Sequence, residues 1–171
     1  MHRRLPNLAI LLGLAGLIPF IVFGLAAMSM ANPVRGARML AILTAYGAVV
    51  LGFLGGVHWG LAVVTEPPAP PSDTVQPAGA FRTARSHLLL GAAPPLIGWL
   101  ALLLAAFNLA DVALAVVIGG YVATIVAEHQ AHRTGALPSG YMWLRWGLSV
   151  VVVAWLVTVL VLRLLGARMV F

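Results

Sequence analysis

Five apolar runs, each long enough to cross a bilayer, occupy most of this 171-residue chain and leave little room for a soluble domain. A hydrocarbon core about 30 Å thick takes about 20 apolar residues of helix. The runs lie at about 5–28, 39–64, 87–107, 109–127 and 143–165. They predict an all-α membrane protein, a five-transmembrane-helix bundle in up-down order, built as a single transmembrane domain over 1–171. Pro6 falls in the first turn of the first helix, where a missing amide is tolerated. The third and fourth runs are separated only around Asn108, so they predict a tight turn and an antiparallel hairpin. Ser29-Met30-Ala31 has the small-x-small form of a signal cleavage site. A signal core is about 7–15 apolar residues, and the run before it is longer, so the expectation is a retained helix.

Charge then orients the bundle. All ten basic residues are Arg, against four acidic ones, for a net charge of +6. In up-down order Arg3, Arg4, Arg82, Arg85, Arg133 and Arg145 share the N-terminal side, and Arg35, Arg38, Arg163 and Arg168 lie opposite. The positive-inside bias therefore predicts an N-terminus in the cytoplasm or mitochondrial matrix, and a multi-pass protein of a bacterial or mitochondrial inner membrane. The excess charge reads as topology and headgroup contact; no basic stripe with interleaved aromatics points to nucleic acid. The absence of Cys excludes disulfides, Cys-ligated metals and iron–sulfur clusters. Residues 65–85 hold Pro67, Pro68, Pro70, Pro71 and Pro77, and read as an extended Pro-rich linker between helices 2 and 3 on the cytoplasmic side.

Packing signals concentrate in the second run. Ala48, Gly52, Gly56 and Gly60 recur every fourth residue, the spacing that lets another membrane helix approach closely. The expected occupant is a neighbouring helix of the same bundle; a homo- or hetero-oligomer would use the same groove. Pro19 and the Pro94-Pro95 pair predict kinks, since each removes an amide donor, and the freed carbonyls must find partners inside the bundle. Trp143 and Trp146 fit an interfacial belt, while Trp99 and Trp155 are expected to pack the interior.

Polar residues gather at one end. The end of helix 2, the start of helix 3, the end of helix 4 and the start of helix 5 carry His58 and Trp59, His87, Glu128 with His129 and His132, and Tyr141 with Arg145. At about 100° per residue Tyr121, Thr124, Glu128 and His132 share about a quarter of one helix surface. His58 lies about opposite the glycine face, and an ionisable residue within a span is a functional candidate by default. The ligand-binding candidates are His58, Trp59, His87, Tyr121, Glu128, His132 and Arg145. The bland reading pairs Glu128 with Arg145 and leaves His129 and His132 wetted at the interface. Glu-His-x-x-His is not the zinc-protease order His-Glu-x-x-His, so no metal site is assigned, and the cofactor stays unknown. Asp111 stands near the opposite surface, so no continuous proton relay is visible. Phosphate loops, Gly-x-Ser-x-Gly and dinucleotide fingerprints are absent, which speaks against hydrolytic and phosphoryl-transfer enzymes.

Leu51-Gly52-Phe53-Leu54-Gly55-Gly56-Val57-His58-Trp59-Gly60, together with Tyr141-Met142-Trp143-Leu144-Arg145 after Pro138, resembles a family of uncharacterised bacterial and mitochondrial membrane proteins related to transmembrane protein 69. The resemblance runs through most of the chain by span order, and is specific in these two stretches. It implies about five spans, a glycine-rich second helix and the importance of Gly52, Gly56, His58, Trp59, Tyr141 and Arg145; it implies no activity or cofactor. The leading expectation is a non-enzymatic bundle, an accessory or assembly subunit of a larger membrane complex such as a respiratory one. The alternative is a binder of a quinone-, haem- or porphyrin-like molecule near His58, with a proton or solute pathway third.

Overall fold

The structure, a computed structural model, describes residues 7–64, 78–133 and 139–166, and the regular structure among them is all helical. The elements are α1 (Asn7–Ala15), α2 (Leu17–Ser29), α3 (Pro33–Val64), α4 (Ala78–Ala106), α5 (Ala110–Arg133) and α6 (Ser139–Leu164). The first apolar run is thus two helices meeting at Gly16. Pro19 cannot donate to the Ala15 carbonyl, and the break falls in that turn. The next carbonyl, that of Gly16, accepts the Tyr46 hydroxyl at 3.0 Å, which ties the break to α3.

Helix limits follow hydrogen bonding more closely than hydropathy. α4 begins at Ala78, so 78–85 is helix where the sequence read linker; the prolines Pro67 to Pro77 lie outside the described residues. α5 and α6 likewise run beyond the apolar 109–127 and start before 143, because a helix continues into the polar layer as long as its own amides pair. Among the described residues four helical stretches are long and apolar enough to cross a membrane: Ile10–Ser29, which runs through the α1–α2 break, Pro33–Gly60, Ala110–His129 and Leu144–Leu164. Gly91–Ala106 of α4 is a fifth, shorter apolar stretch among the described residues.

The turns have identifiable causes. Asn32 caps α3: its Oδ1 accepts the amides of Val34 at 2.9 Å and Arg35 at 3.3 Å, and Pro33 takes the first helical position. The α4–α5 hairpin turns at Asn108, whose φ of 62° is left-handed. Asn108 N donates to Ala105 O and Leu109 N to Leu104 O, the paired bonds of a Schellman cap. Asn is among the few non-glycine residues that enter this conformation at low cost.

In cross-section α2, α3, α5 and α6 close a ring, through α2–α3, α3–α5, α5–α6 and α6–α2 contacts. α4 lies outside it, in the groove between α3 and α5. The interior layer is Phe20, Leu40, Leu43, Leu51, Leu114, Val117, Leu156 and Val159. Aromatic donors cross it to backbone carbonyls: Tyr121 Oη to Gly47 O at 3.3 Å and Trp155 Nε1 to Phe20 O at 2.8 Å. Gly24 is required for the second, since a Cβ there would sit 2.5 Å from Trp155 Nε1. Trp155 therefore packs the bundle as expected, whereas Trp99, at 60% exposed, faces outward. Its position on α4, the helix outside the ring, is the reason.

Candidate functional site

The α3–α4 contact is the closest in the fold, and it selects which small residues matter. An ideal Cβ on Gly98 would lie 2.9 Å from Ala48 O, and one on Gly52 3.9 Å from Pro95 Cβ. Gly55 touches the Gly91 carbonyl, one of those freed by the prolines of α4, and Trp59 covers Gly91. The face toward α4 is therefore Ala48, Gly52, Gly55 and Trp59. Gly56 and Gly60 are exposed and meet no described atom within 4 Å. A strict four-residue step rotates about 40° at each repeat, so the stripe from Ala48 to Gly60 winds off the contact; the spacing 4, 3, 4 stays on it.

That rotation also places His58. It stands on the flank of α3 toward α5, while Gly56 stands on the opposite, open flank. His58 is 3% exposed, Glu128 2% and Arg145 7%. Arg145 Nε donates to Glu128 Oε2 at 2.7 Å, and Nη2 donates to Glu128 Oε1, which makes the bidentate fork of a guanidinium on a carboxylate. His58 Nε2 lies 3.9 Å from the same Glu128 Oε1. His58 Nδ1 is 3.3 Å from the Leu54 carbonyl one turn back; a carbonyl only accepts, so this bond holds the proton on Nδ1. Three helices thus meet at one carboxylate: α3 by His58, α5 by Glu128 and α6 by Arg145.

The sequence-level pairing of Glu128 with Arg145 is observed, and His58 joins them. Tyr121 and Thr124 line the same face of α5 but are engaged elsewhere, Tyr121 with Gly47 O and Thr124 Oγ1 with Gly120 O at 2.8 Å. Trp59 is 53% exposed and turned to α4, so it does not join the cluster. His129 is exposed and lies against Trp146, with ring centroids 5.3 Å apart and the rings tilted by 41°. The backbone of His87 lies in α4 and that of His132 in α5, which does continue that far; the side chains of His87, His132 and Tyr141 lie outside the described residues. No three metal-donor side chains converge among the described residues. His58 and Glu128 are two, and Arg145 takes both carboxylate oxygens.

Sequence reasoning missed the glycines that α3 and α4 share, Gly55, Gly91 and Gly98, and the spacing 4, 3, 4 was the signal available. It also missed the fully buried Thr44, whose Oγ1 has no hydrogen-bond partner among the described residues. The second ion pair was likewise unforeseen: Arg163 Nε donates to Asp111 Oδ1 at 2.8 Å, at the far end of the bundle.

The profile of a protein family of unknown function, DUF3429, matches residues 5–161. Transmembrane protein 69 of Xenopus tropicalis is 35% identical over 151 residues, covering 86% of this chain and 51% of that protein. The chain therefore spans about half the length of that relative. No solved structure matches it.

Proposed function

We propose a contact-based role for this chain, which belongs to the DUF3429 family of proteins of unknown function: a non-enzymatic helical bundle of an inner membrane, acting as an accessory or assembly subunit of a larger complex, with respiratory complexes first among the candidates. The observation that carries this reading is the Glu128–Arg145 fork. Its charges neutralise each other inside the fold and both carboxylate oxygens are taken, so the pair ties α5 to α6. The open flank of α3, with Phe53, Gly56 and Gly60, is left as a surface for another membrane helix. The N-terminus is assigned to the cytoplasm or matrix on the Arg distribution.

Native mass spectrometry of the protein, gently extracted from its own membrane, tests this. Stoichiometric recovery with subunits of another complex supports the accessory role, and recovery of the bare chain counts against it. Gly56→Leu should reduce partner recovery with the fold intact; unchanged recovery would remove the open flank from the proposal.

A second reading rests on His58, which brings a buried imidazole within 3.9 Å of a carboxylate. It makes the cluster end a seat for a quinone-, haem- or porphyrin-like molecule. A pigment spectrum or retained lipid-like mass that disappears in His58→Ala would favour it over the accessory role. A proton or solute pathway has less support, because beyond Tyr121 the interior passes to Leu40, Leu43, Leu114 and Val117. Flux in proteoliposomes that is lost in Glu128→Gln would be needed to restore it.

A further inference from the structure

We propose that the end of the bundle opposite His58 holds a binding site for a phosphate-bearing anion, built around Arg163. A cavity of about 200 Å³ opens there between the end of α2, the start of α3 and the end of α6, with Met28, Met30, Pro33, Gly36 and Arg163 in its wall. Among the described residues of that wall Arg163 is the charged one. Its guanidinium is held in place by two acceptors, Asp111 Oδ1 at 2.8 Å from Nε and Ala27 O at 3.5 Å from Nη1. Nη2 makes no hydrogen bond to any described residue, which leaves an anchored donor pair beside the cavity. A guanidinium fixed in this way is suited to an oxyanion of phosphate geometry, and loses little freedom on binding it.

The first turn of α3 does not compete for the anion. Its amides are already taken: Val34 and Arg35 donate to Asn32 Oδ1, and Gly36 to Asn32 O. The cavity is open on one side and smaller than the about 300–1,000 Å³ of sites that enclose drug-sized molecules. Its size suits a headgroup whose remainder lies outside. Arg163 occupies the last turn of α6 and Asn32 the α2–α3 turn, so the site lies at the level of lipid headgroups. Exposed Arg35 and Arg38 on α3 add positive charge to that end, against Asp111. Met28 and Met30 give the wall an apolar side for a glycerol or acyl group. The phosphate comes either from an anionic phospholipid or from the aqueous phase, and the site stands whichever role the His58 cluster serves.

The test uses the full chain in nanodiscs of phosphatidylcholine with added phosphatidylglycerol, read by native mass spectrometry for lipid retained after release. The wild type should keep one phosphatidylglycerol per chain. Arg163→Gln should lower that retention about tenfold, the worth of one charge-assisted hydrogen bond. Asp111→Asn keeps the guanidinium charge and should retain the lipid. In a parallel arm, inorganic phosphate is compared with chloride at matched ionic strength for protection against thermal unfolding. Protection by phosphate without lipid retention, lost in Arg163→Gln, supports the site and assigns it to the soluble anion. Equal lipid retention and equal phosphate response in wild type and Arg163→Gln overturn it. If Arg163→Gln does not fold, Met30→Trp fills the cavity and leaves the Arg163–Asp111 pair in place. Wild-type retention in that variant also overturns the proposal.

Discussion

Glu128 is the residue whose loss the bundle should tolerate least. Its carboxylate is 2% exposed and faces Arg145 and His58 together. Removing one partner of a buried pair leaves an uncompensated charge and costs about 3–5 kcal/mol, whereas apolar replacement of both is often near neutral. Glu128→Gln is therefore expected to destabilise by that order, and Glu128→Leu with Arg145→Met together by much less. Unfolding in detergent micelles checks this, and additive losses would show that the two side chains act independently rather than through the fork. Tyr46→Phe removes the hydroxyl that answers Gly16 O; membrane side-chain hydrogen bonds average about 0.6 kcal/mol, so a shift of that size is expected in the same assay. A larger shift would mean that the break before Pro19 depends on this bond.

At the scale of elements, the α3–α4 pairing is the contact most sensitive to side-chain volume. Gly55 meets the Gly91 backbone and Gly98 the Ala48 backbone, so neither neighbour is a flexible side chain that can give way. Overpacking a well-packed site costs about 1–3 kcal/mol, and Gly55→Leu and Gly98→Leu should reach or exceed the upper end. Gly56→Leu, on the open flank one residue away, should leave stability within about 0.5 kcal/mol, as for surface changes. Thermal melts of the three variants decide it; a Gly56→Leu variant as unstable as Gly55→Leu would contradict the observed rotation of α3. This contrast also separates fold from partner contact, because Gly56→Leu is the change that should act only on assembly.

For the whole molecule, the expectation to test is five crossings with the two polar ends on opposite faces. The chain has no Cys, so single cysteines report sidedness without background. Ser29→Cys and Asn108→Cys should react with an impermeant maleimide from one side, and His129→Cys from the other. Labelling of Asn108→Cys from the His129 side would show that α4 does not cross, the relevant question for a helix whose described apolar stretch is only Gly91–Ala106.

Membrane class, helical content and the α4–α5 hairpin were legible in the sequence, because each rests on local chemistry. A long apolar run must satisfy its own amides as helix, and Asn108 can take the left-handed turn that reverses it. Convergence of His58, Glu128 and Arg145 at one end was also legible, since up-down order stacks alternate helix ends. Their contact at one carboxylate was not. It depends on the rotation of α3 about its axis, which places His58 toward α5 and Trp59 toward α4. That rotation is set by where the Gly55 and Gly91 backbones touch. The same cause put Gly56 and Gly60 on the open flank despite their regular spacing. Spacing along one helix determines which residues share a face; the direction of that face is decided only when a neighbouring helix packs against it.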